Sequence, residues 1–165
     1  MAECVKLRAL EPEDLELVYQ IENDPALWAC SASSQPLSRY TIRQYLADQH
    51  NDIFIDGQLR QVVTLDDANA VGIVDLTDFE PRHRRAEVGI VILADHHRQG
   101  IATAALHQLQ QYAAERLRLR SLYAYVSVAN EPAQRLFRSL GYQPCGQLQR
   151  WIEGETTVTL FQLML

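Results

Sequence analysis

The sequence predicts a single α/β domain of α+β type, with seven strands and four helices in the order βααβββαβαββ. Three observations support this. Short β-branched runs separated by turn residues fill positions 61–93, a strand, a helix and a strand succeed one another over 86–128, and an amphipathic helix with clear end signals begins at Asn130. At 165 residues the chain suits one domain of ordinary size, so we expect residues 1–165 to form one unit.

The first third of the chain predicts one strand and two helices. Residues 4–10 alternate loosely between polar and apolar and indicate the first strand. Pro12 and the acids that follow it open the first helix, because proline fits the first turn and carboxylates favour the positive end of the helix dipole. Ser38 can cap a second helix, which we expect to end near Asn51.

The remaining two thirds alternate between strands and helices. The last helix has the clearest boundaries, because Asn130 can cap it and Gly141 supplies the left-handed residue that commonly ends a helix. In chain order, the predicted elements are the strands QVVTL, AVGIVDLTDF and AEVGIVIL, the helix GIATAALHQLQQYAAERL, the strand SLYAYVSV, the helix NEPAQRLFRSLGY, and β-rich segments over 142–152 and 156–163.

Composition and charge narrow the class of protein. Apolar residues make up 47% and charged residues 22%, as in soluble globular domains, and no apolar run is long enough to cross a bilayer. The first residues carry no secretion signal, so we expect a cytoplasmic protein with no membrane partner. The formal net charge of -6 disfavours nucleic acid and favours a cationic partner.

Three widely spaced cysteines, Cys4, Cys30 and Cys145, disfavour a disulfide framework or a zinc site, and we expect no metal. Buried or idle thiols are the expectation. A cysteine-nucleophile transferase would need Cys30 or Cys145 beside a histidine, and the sequence offers no such pairing at a meaningful spacing.

The segment HRQGIAT, residues 97–103, joins a predicted strand to a predicted helix through one glycine. Such a junction presents unpaired backbone N–H groups at the positive end of the helix dipole and is suited to an anion. Gly100 leaves room for a ligand to approach the backbone, Ala102 keeps the first turn small, and Arg98 adds a positive charge. Tight strand-to-helix packing is the alternative explanation. Neither a Walker phosphate loop nor a dinucleotide fingerprint is present.

The order of elements, the HRQGIAT junction after AEVGIVIL, and NEPAQRLFRSLGY about thirty residues later together resemble the GNAT family of N-acetyltransferases over essentially the whole chain. The resemblance implies one GNAT domain with a mixed, largely antiparallel central sheet flanked by helices. It further implies acetyl-coenzyme A (acetyl-CoA) as cosubstrate and direct attack of a primary amine on its thioester. In this family the strand after the motif helix diverges from the one before it, which opens a cleft.

The family motif has the form Q/R-x-x-G-x-G/A, and its backbone amides hold the pyrophosphate of acetyl-CoA. His97 stands in its first position, where the family prefers Gln or Arg, while Gly100 and Ala102 fill the glycine and small-residue positions. The resemblance implies that the following residues contact the cofactor: Val91, Ile92, Leu93, His97, Arg98, Gln99, Gly100, Ile101, Ala102, Thr103 and Asn130.

Glu87 is implied as the catalytic base, because related enzymes place at this strand position a carboxylate that accepts the amine proton directly or through water. The alternative is a solvated carboxylate paired with Arg84 or Arg85. The two readings stay open at this point.

The residue that should protonate the leaving thiolate differs from the family pattern. Phe137 stands where many members carry a tyrosine, and phenylalanine has no proton to give. Tyr142, Tyr125 and Ser127 are the candidate replacements, with Tyr142 as our assignment. The alternatives are that the thiolate leaves unprotonated into solvent, or that the protein is not an efficient acetyltransferase. Packing of an aromatic ring in the core is the alternative for Tyr142.

Within the family, the chain resembles the ribosomal-protein alanine and spermidine acetyltransferase branch in three stretches: LRALEPEDLELVYQIENDP, HRRAEVGIVI and RWIEGETTVTLFQLML. This implies an amine acceptor that is a small amine, a polyamine or a protein N-terminus, and a homodimer. A polyamine could meet an acidic rim on the first helix, although a solvated helix face explains those acids too. The alternative function is a non-catalytic sensor that binds acyl-CoA or a polyamine. The rim residues are Glu11, Glu13, Asp14, Glu16 and Glu22.

Overall fold

A computed structural model describes residues 4–30, 35–66, 69–152 and 156–165. Seven strands form one sheet in the order β1-β2-β3-β4-β5-β7-β6, and every neighbouring pair is antiparallel except β4 and β5, which are parallel. The fold class and the order of the major elements are thus confirmed. The strands are β1 (Val5–Ala9), β2 (Leu59–Leu65), β3 (Asn69–Glu80), β4 (Arg85–Ile92), β5 (Ser121–Ser127), β6 (Gln143–Ile152) and β7 (Thr156–Met164). The α-helices are α1 (Leu15–Glu22), α2 (Arg39–Asp48), α3 (Ile53–Asp56), α4 (Ile101–Glu115) and α5 (Glu131–Ser139).

The short helix α3 adds a fifth helix to the four expected, and α2 ends at Asp48, before the predicted Asn51. Asp52 caps α3 by accepting the Phe54 amide through its side chain, and Gly57 ends it at a φ of 69°. A helix of four residues is too short to show a 3.6-residue period, which is why the sequence pattern did not reveal it.

Helices pack on both faces of the sheet. Because side chains alternate in direction along a strand, neighbouring residues of one strand face opposite sides. Val63 and Val88 belong to one core cluster, with residues of α4 and α5. Val62 and Ile73 belong to the other, with residues of α1 and α2. The second cluster takes no described residue from β5, so the α1/α2 side of that strand is left uncovered.

The parallel pair β4–β5 is short. Only Arg85, Ala86 and Glu87 of β4 have partners on β5, which are Ser121 to Tyr123, although both strands continue for several residues. Beyond Glu87, β4 therefore has a neighbour on its β3 side and none on its β5 side. This is the divergence that the family resemblance implied, and it leaves a cleft in the middle of the sheet.

The ends of α5 match their sequence signals. Asn130 accepts the Ala133 amide through Oδ1 at 3.2 Å, and Gly141 has a φ of 91°. Among the described residues, no helix is long and apolar enough to span a membrane.

We expect Phe137→Ala to lower the free energy of unfolding by about 3–5 kcal/mol, because it empties a core position. The Phe137 ring is 4% exposed and lies 5.0 Å from the Tyr142 ring and 6.0 Å from the Phe161 ring, centroid to centroid. Urea denaturation measures the loss.

Phe54→Ala is the matched control, because Phe54 is 66% exposed, and we expect it to cost less than about 1 kcal/mol. Similar losses in the two variants would contradict the assignment of Phe137 to the core.

Candidate active site

The cleft edge of β4 presents backbone groups that the sheet does not use. The Leu93 amide donates to the Val71 carbonyl of β3 at 2.8 Å. Because backbone groups alternate in direction along a strand, Val91 and Leu93 direct theirs into the sheet, while Ile90 and Ile92 direct theirs to the open edge. The register therefore favours Ile90 and Ile92, the neighbours of Val91 and Leu93, as the residues whose backbone faces the cleft, and contact of this stretch with the cofactor stays a prediction.

The loop after β4 ends in a helix start without a side-chain cap. Gly100 is the N-cap of α4 at a φ of 77°, and the first helical bond runs from the Ala104 amide to the Gly100 carbonyl at 3.1 Å. The amides of Ile101, Ala102 and Thr103 precede that bond and have no partner within the helix. Side chains cap α2, α3 and α5, whereas α4 leaves these donors to a ligand or to water.

Space around this helix start fits an anionic group. A Cβ added at Gly100 would meet no atom within 4 Å, so the backbone there is open to solvent. Arg98, Gln99 and Thr103 are exposed, and Ile101 is buried in the core beneath them. The amides, the open glycine and the positive charge of Arg98 together suit the phosphates of coenzyme A.

Two side chains of the loop turn back onto the protein. Nε2 of His97 lies 2.7 Å from the Ile92 carbonyl oxygen, and Nε2 of Gln99 donates to the Asp95 carbonyl at 3.3 Å. Asn130 likewise uses Oδ1 to cap α5. The family resemblance implied that all three residues contact the cofactor. In the structure, their side chains form hydrogen bonds with backbone groups of the protein instead.

Glu87 lies at the fork where β4 and β5 separate. Its register partners are Thr77 on β3 and Tyr123 on β5, and its side chain is half-buried. Burial raises the pKa of the Glu87 carboxyl, and the nearby charge of Asp78 raises it further. Within the described part of the chain, no ion pair joins Glu87 to Arg84 or Arg85. A carboxylate without a cation and with a raised pKa suits a general base better than a structural ion pair.

Asp78 and Tyr123 join Glu87, and sequence reasoning missed both. The Tyr123 hydroxyl donates to Oδ2 of Asp78, and the pKa of Tyr123 is raised by burial and by this bond. Asp78 has a φ of 45° and lies where the β3–β4 register shifts between Thr77 and Glu80. Such irregularities re-aim side chains near functional sites. Alternation in the sequence does not show where a register shifts, so it could not have revealed Asp78.

A row of aromatic side chains extends from Asp78 and Glu87 along the α1/α2 side of the sheet, which is uncovered at β5. The Tyr123 and Tyr125 rings lie 5.7 Å apart between centroids, and the Tyr125 and Trp151 rings lie 5.4 Å apart. Trp151 is 52% exposed. Aromatic faces beside carboxylates attract ammonium groups through cation–π and Coulomb interactions.

Tyr142 does not reach this surface. It is 1% exposed and packs edge-on against Phe137 within the core. Burial raises the pKa of its hydroxyl to about 12, so proton release there is less favourable than from an ordinary tyrosine. This placement argues against the predicted role of Tyr142 as the acid and favours the packing alternative.

The acidic rim expected on the first helix is largely neutralised. Asp14 pairs with Arg8 at 2.8 Å, and Glu16 pairs with Arg39 at 2.8 Å. Glu22 pairs at 2.9 Å with Arg60, which also binds Asp75 at 2.7 Å. These ion pairs leave less negative charge for a cationic substrate than the sequence suggested.

Cys4 and Cys145 are exposed free thiols, so of the two expectations, buried or idle, burial does not apply to them. Cys145 Sγ contacts the Gln143 carbonyl and the Gln162 side chain, which provides no histidine base. The side chain of Cys30 lies outside the described atoms. In the part of the chain that the structure describes, no group of three or more His, Cys, Asp or Glu side chains could hold a metal ion.

Comparisons with known proteins agree with this geometry. Residues 5–143 match the family model described as an acetyltransferase (GNAT) domain. The spermidine N(1)-acetyltransferase of Escherichia coli strain K12 is 33% identical over 159 residues, which cover 93% of this chain and 82% of that protein.

Solved structures of the spermidine N-acetyltransferase from Vibrio cholerae superpose on nearly the whole chain. One, in complex with CoA and spermine, gives a TM-score of 0.84 at 26% identity and covers 97% of this chain and 95% of its own. Another, described as dodecameric and in an intermediate state, gives 0.80 at 27% identity and covers 97% and 93%.

Gly100→Glu should weaken coenzyme A binding by at least about tenfold, because it strains a left-handed position and sets a carboxylate among the free amides of the α4 start. Isothermal titration with coenzyme A measures the change in Kd.

Gly57→Glu is the matched control. Gly57 also has a positive φ, 69°, and open space around its Cβ position, but it lies at the end of α3, outside the loop. We expect this variant to bind coenzyme A like the wild type. Equal affinity of the Gly100 variant and the wild type would contradict the proposed amide site.

Proposed function

Since the chain belongs to the GNAT acetyltransferase family and is an acetyl-CoA-dependent N-acetyltransferase, we propose that its acceptor is a polyamine of the spermidine or spermine type. The observation that carries the proposal is the acidic and aromatic surface at the fork of β4 and β5. It consists of Asp78, Glu87, Tyr123, Tyr125 and Trp151. The substrates named for the similar proteins and the net charge of -6 support a cationic acceptor.

Acetyl-CoA supplies the acetyl thioester when bound. We assign its binding to the open edge of β4, at the backbone of Ile90 and the amide of Ile92, and to the amides at the start of α4; the Ile92 carbonyl accepts from His97. Arg98, exposed beside those amides, adds a positive charge for the phosphates. Backbone donors make most of this site, so the replacement of Gln or Arg by His97 leaves it intact.

Glu87 is the proposed base. A polyamine amine is protonated near neutral pH and must lose a proton before it can attack a carbonyl carbon. The raised pKa of Glu87 makes its carboxylate a better proton acceptor than that of an ordinary glutamate. Its place at the fork lets it receive this proton at the cleft.

Asp78 and the aromatic row are assigned to the rest of the acceptor. Asp78 is exposed and held by the Tyr123 hydroxyl, so its charge stays at the mouth of the cleft. The Tyr125 and Trp151 rings extend this surface away from Glu87, in the direction that a chain carrying several ammonium groups would follow.

Of the acids left from the sequence candidates, Tyr125 is the better placed. It lies on β5 beyond the last residue paired with β4, and it is half-buried. The Ser127 hydroxyl accepts the Ala129 amide at 3.2 Å and serves the turn after β5. We therefore assign to Tyr125 the proton that Phe137 cannot give.

We also propose that residues 1–165 act as a single domain, in the cytoplasm, as a homo-oligomer whose smallest unit is the dimer. The single sheet of the described residues supports one domain. The dodecameric form of the Vibrio cholerae protein supports self-association.

Glu87→Gln should lower kcat by about 100-fold or more and leave the Kd for coenzyme A unchanged, because it removes the proton acceptor and keeps the shape of the side chain. Wild-type kcat/KM should fall as pH drops through the raised pKa of Glu87, at a higher pH than an ordinary glutamate with a pKa of about 4.3 would give. Assays of turnover across pH measure kcat and kcat/KM, and isothermal titration measures the Kd for coenzyme A. Turnover within twofold of wild type in the variant would rule out Glu87 as the base.

Release of free thiol from acetyl-CoA, measured with spermidine, spermine, L-amino acids and short N-terminal peptides, tests the acceptor class. We expect turnover with the polyamines, and Trp151→Ala should raise their KM by roughly 2- to 10-fold by removing a cation–π face.

Phe54→Ala is the control, since Phe54 is an exposed aromatic residue on α3, outside the acceptor surface. Turnover with peptides alone would contradict the polyamine proposal. No turnover with any amine of the panel, with coenzyme A still binding, would favour a non-catalytic sensor.

A further inference from the structure

His97 uses its ring on the protein. Its Nε2 lies 2.7 Å from the Ile92 carbonyl oxygen. A carbonyl oxygen can only accept, so Nε2 carries the proton and donates. The contact needs a hydrogen-bond donor and does not need a positive charge.

The accepting carbonyl belongs to the last residue of β4. It faces the open edge of the cleft, where β5 no longer pairs with β4. The His97 ring therefore joins the end of the cleft strand to the loop that carries the free amides. It ties together the two parts of the surface assigned to acetyl-CoA.

The loop needs such a tie, because its backbone is strained. Arg98, directly after His97, has a φ of 62°, in the left-handed region that is unfavourable for a residue other than glycine. Gly100 follows with a second positive φ of 77°. Strained conformations persist only where the surroundings fix them. The His97–Ile92 bond, with the Gln99–Asp95 bond beside it, provides that fixation.

We infer that His97 is a positioning residue, which sets the amides at the start of α4 relative to the β4 edge by donating to the Ile92 carbonyl. Its motif position suggested a contact with the cofactor, and the ring acts one step away, through the loop. The inference rests on acetyl-CoA as the donor of the reaction.

This role predicts which side chains can replace His97. In glutamine, the amide nitrogen is separated from Cα by the same number of bonds as histidine Nε2, and it donates without a positive charge. Gln at position 97 can therefore make the bond to Ile92, and Ala cannot. If the ring instead served as a cation for a phosphate, neutral Gln would fail as Ala does.

Titration of coenzyme A into the wild type, His97→Ala and His97→Gln distinguishes these roles. We expect the Kd to rise roughly 3- to 10-fold in the Ala variant, the range that loss of one hydrogen bond gives, and to stay within about twofold in the Gln variant. His96→Ala is the matched control, a neighbouring histidine in the same loop, and should bind as the wild type does. In turnover assays, the KM for acetyl-CoA of the Ala variant should rise by a similar factor, and by more than its kcat falls.

A second readout is independent of the cofactor. Backbone heteronuclear NOE values for residues 98–103, measured without coenzyme A, should fall in the Ala variant and be kept in the Gln variant. Because this measurement needs no ligand, it separates failure of the positioning role from failure of the proposed function, which the amine panel reports.

Three results would overturn the inference. An unchanged Kd and unchanged loop order in His97→Ala would show that the bond positions nothing. Tighter binding by His97→Ala would show that the ring occludes the site. Equal weakening in the Ala and Gln variants would show that the ring acts through its charge.

Discussion

The early end of the parallel pairing between β4 and β5 is the constraint on which the rest of the site depends. A sheet that pairs for three residues and then opens leaves strand edges inside the domain rather than at its border. Buried or half-buried backbone groups must find hydrogen-bond partners, so such an edge must be served by water or by a ligand with amide groups of its own. The fold thus creates a linear binding site from backbone groups alone. Such a site cannot be recognised from the residue types in the sequence.

The fork also explains why the polar residues of the site converge. Glu87 and Tyr123 form the last pair between β4 and β5, so they lie side by side where the cleft begins. The irregular end of β3 adds Asp78 to the same place. Each of these side chains comes from a different strand, and the sheet brings them together without a long loop. The start of α4 lies near the far end of the same open edge, because only the loop over residues 93–100 separates α4 from β4.

Much of the fold could be predicted from the sequence, because it is written in local patterns. Asn130 and Gly141 mark the two ends of α5, and both act as their residue types suggest. The contribution of Asp78 could not be predicted, because it depends on a register shift between two strands rather than on spacing in one. The core placement of Tyr142 could not be predicted for a related reason, since a tyrosine at the start of a strand has the same sequence signal whether it faces a cleft or fills the core.

The distribution of ion pairs determines where negative charge stays uncompensated. Of the acids in and just before α1, Asp14 pairs with Arg8, Glu16 pairs with Arg39, and Glu22 shares Arg60 with Asp75. Among the described residues, Glu87 has no such partner, and its pKa is raised instead of lowered, as expected for a carboxylate that is partly buried beside a like charge without a compensating cation. A half-buried carboxylate in that state gains most from a cation brought by a substrate. In the proposed function, the local charge imbalance at the fork, rather than the total charge of the chain, therefore attracts the ammonium group of the acceptor.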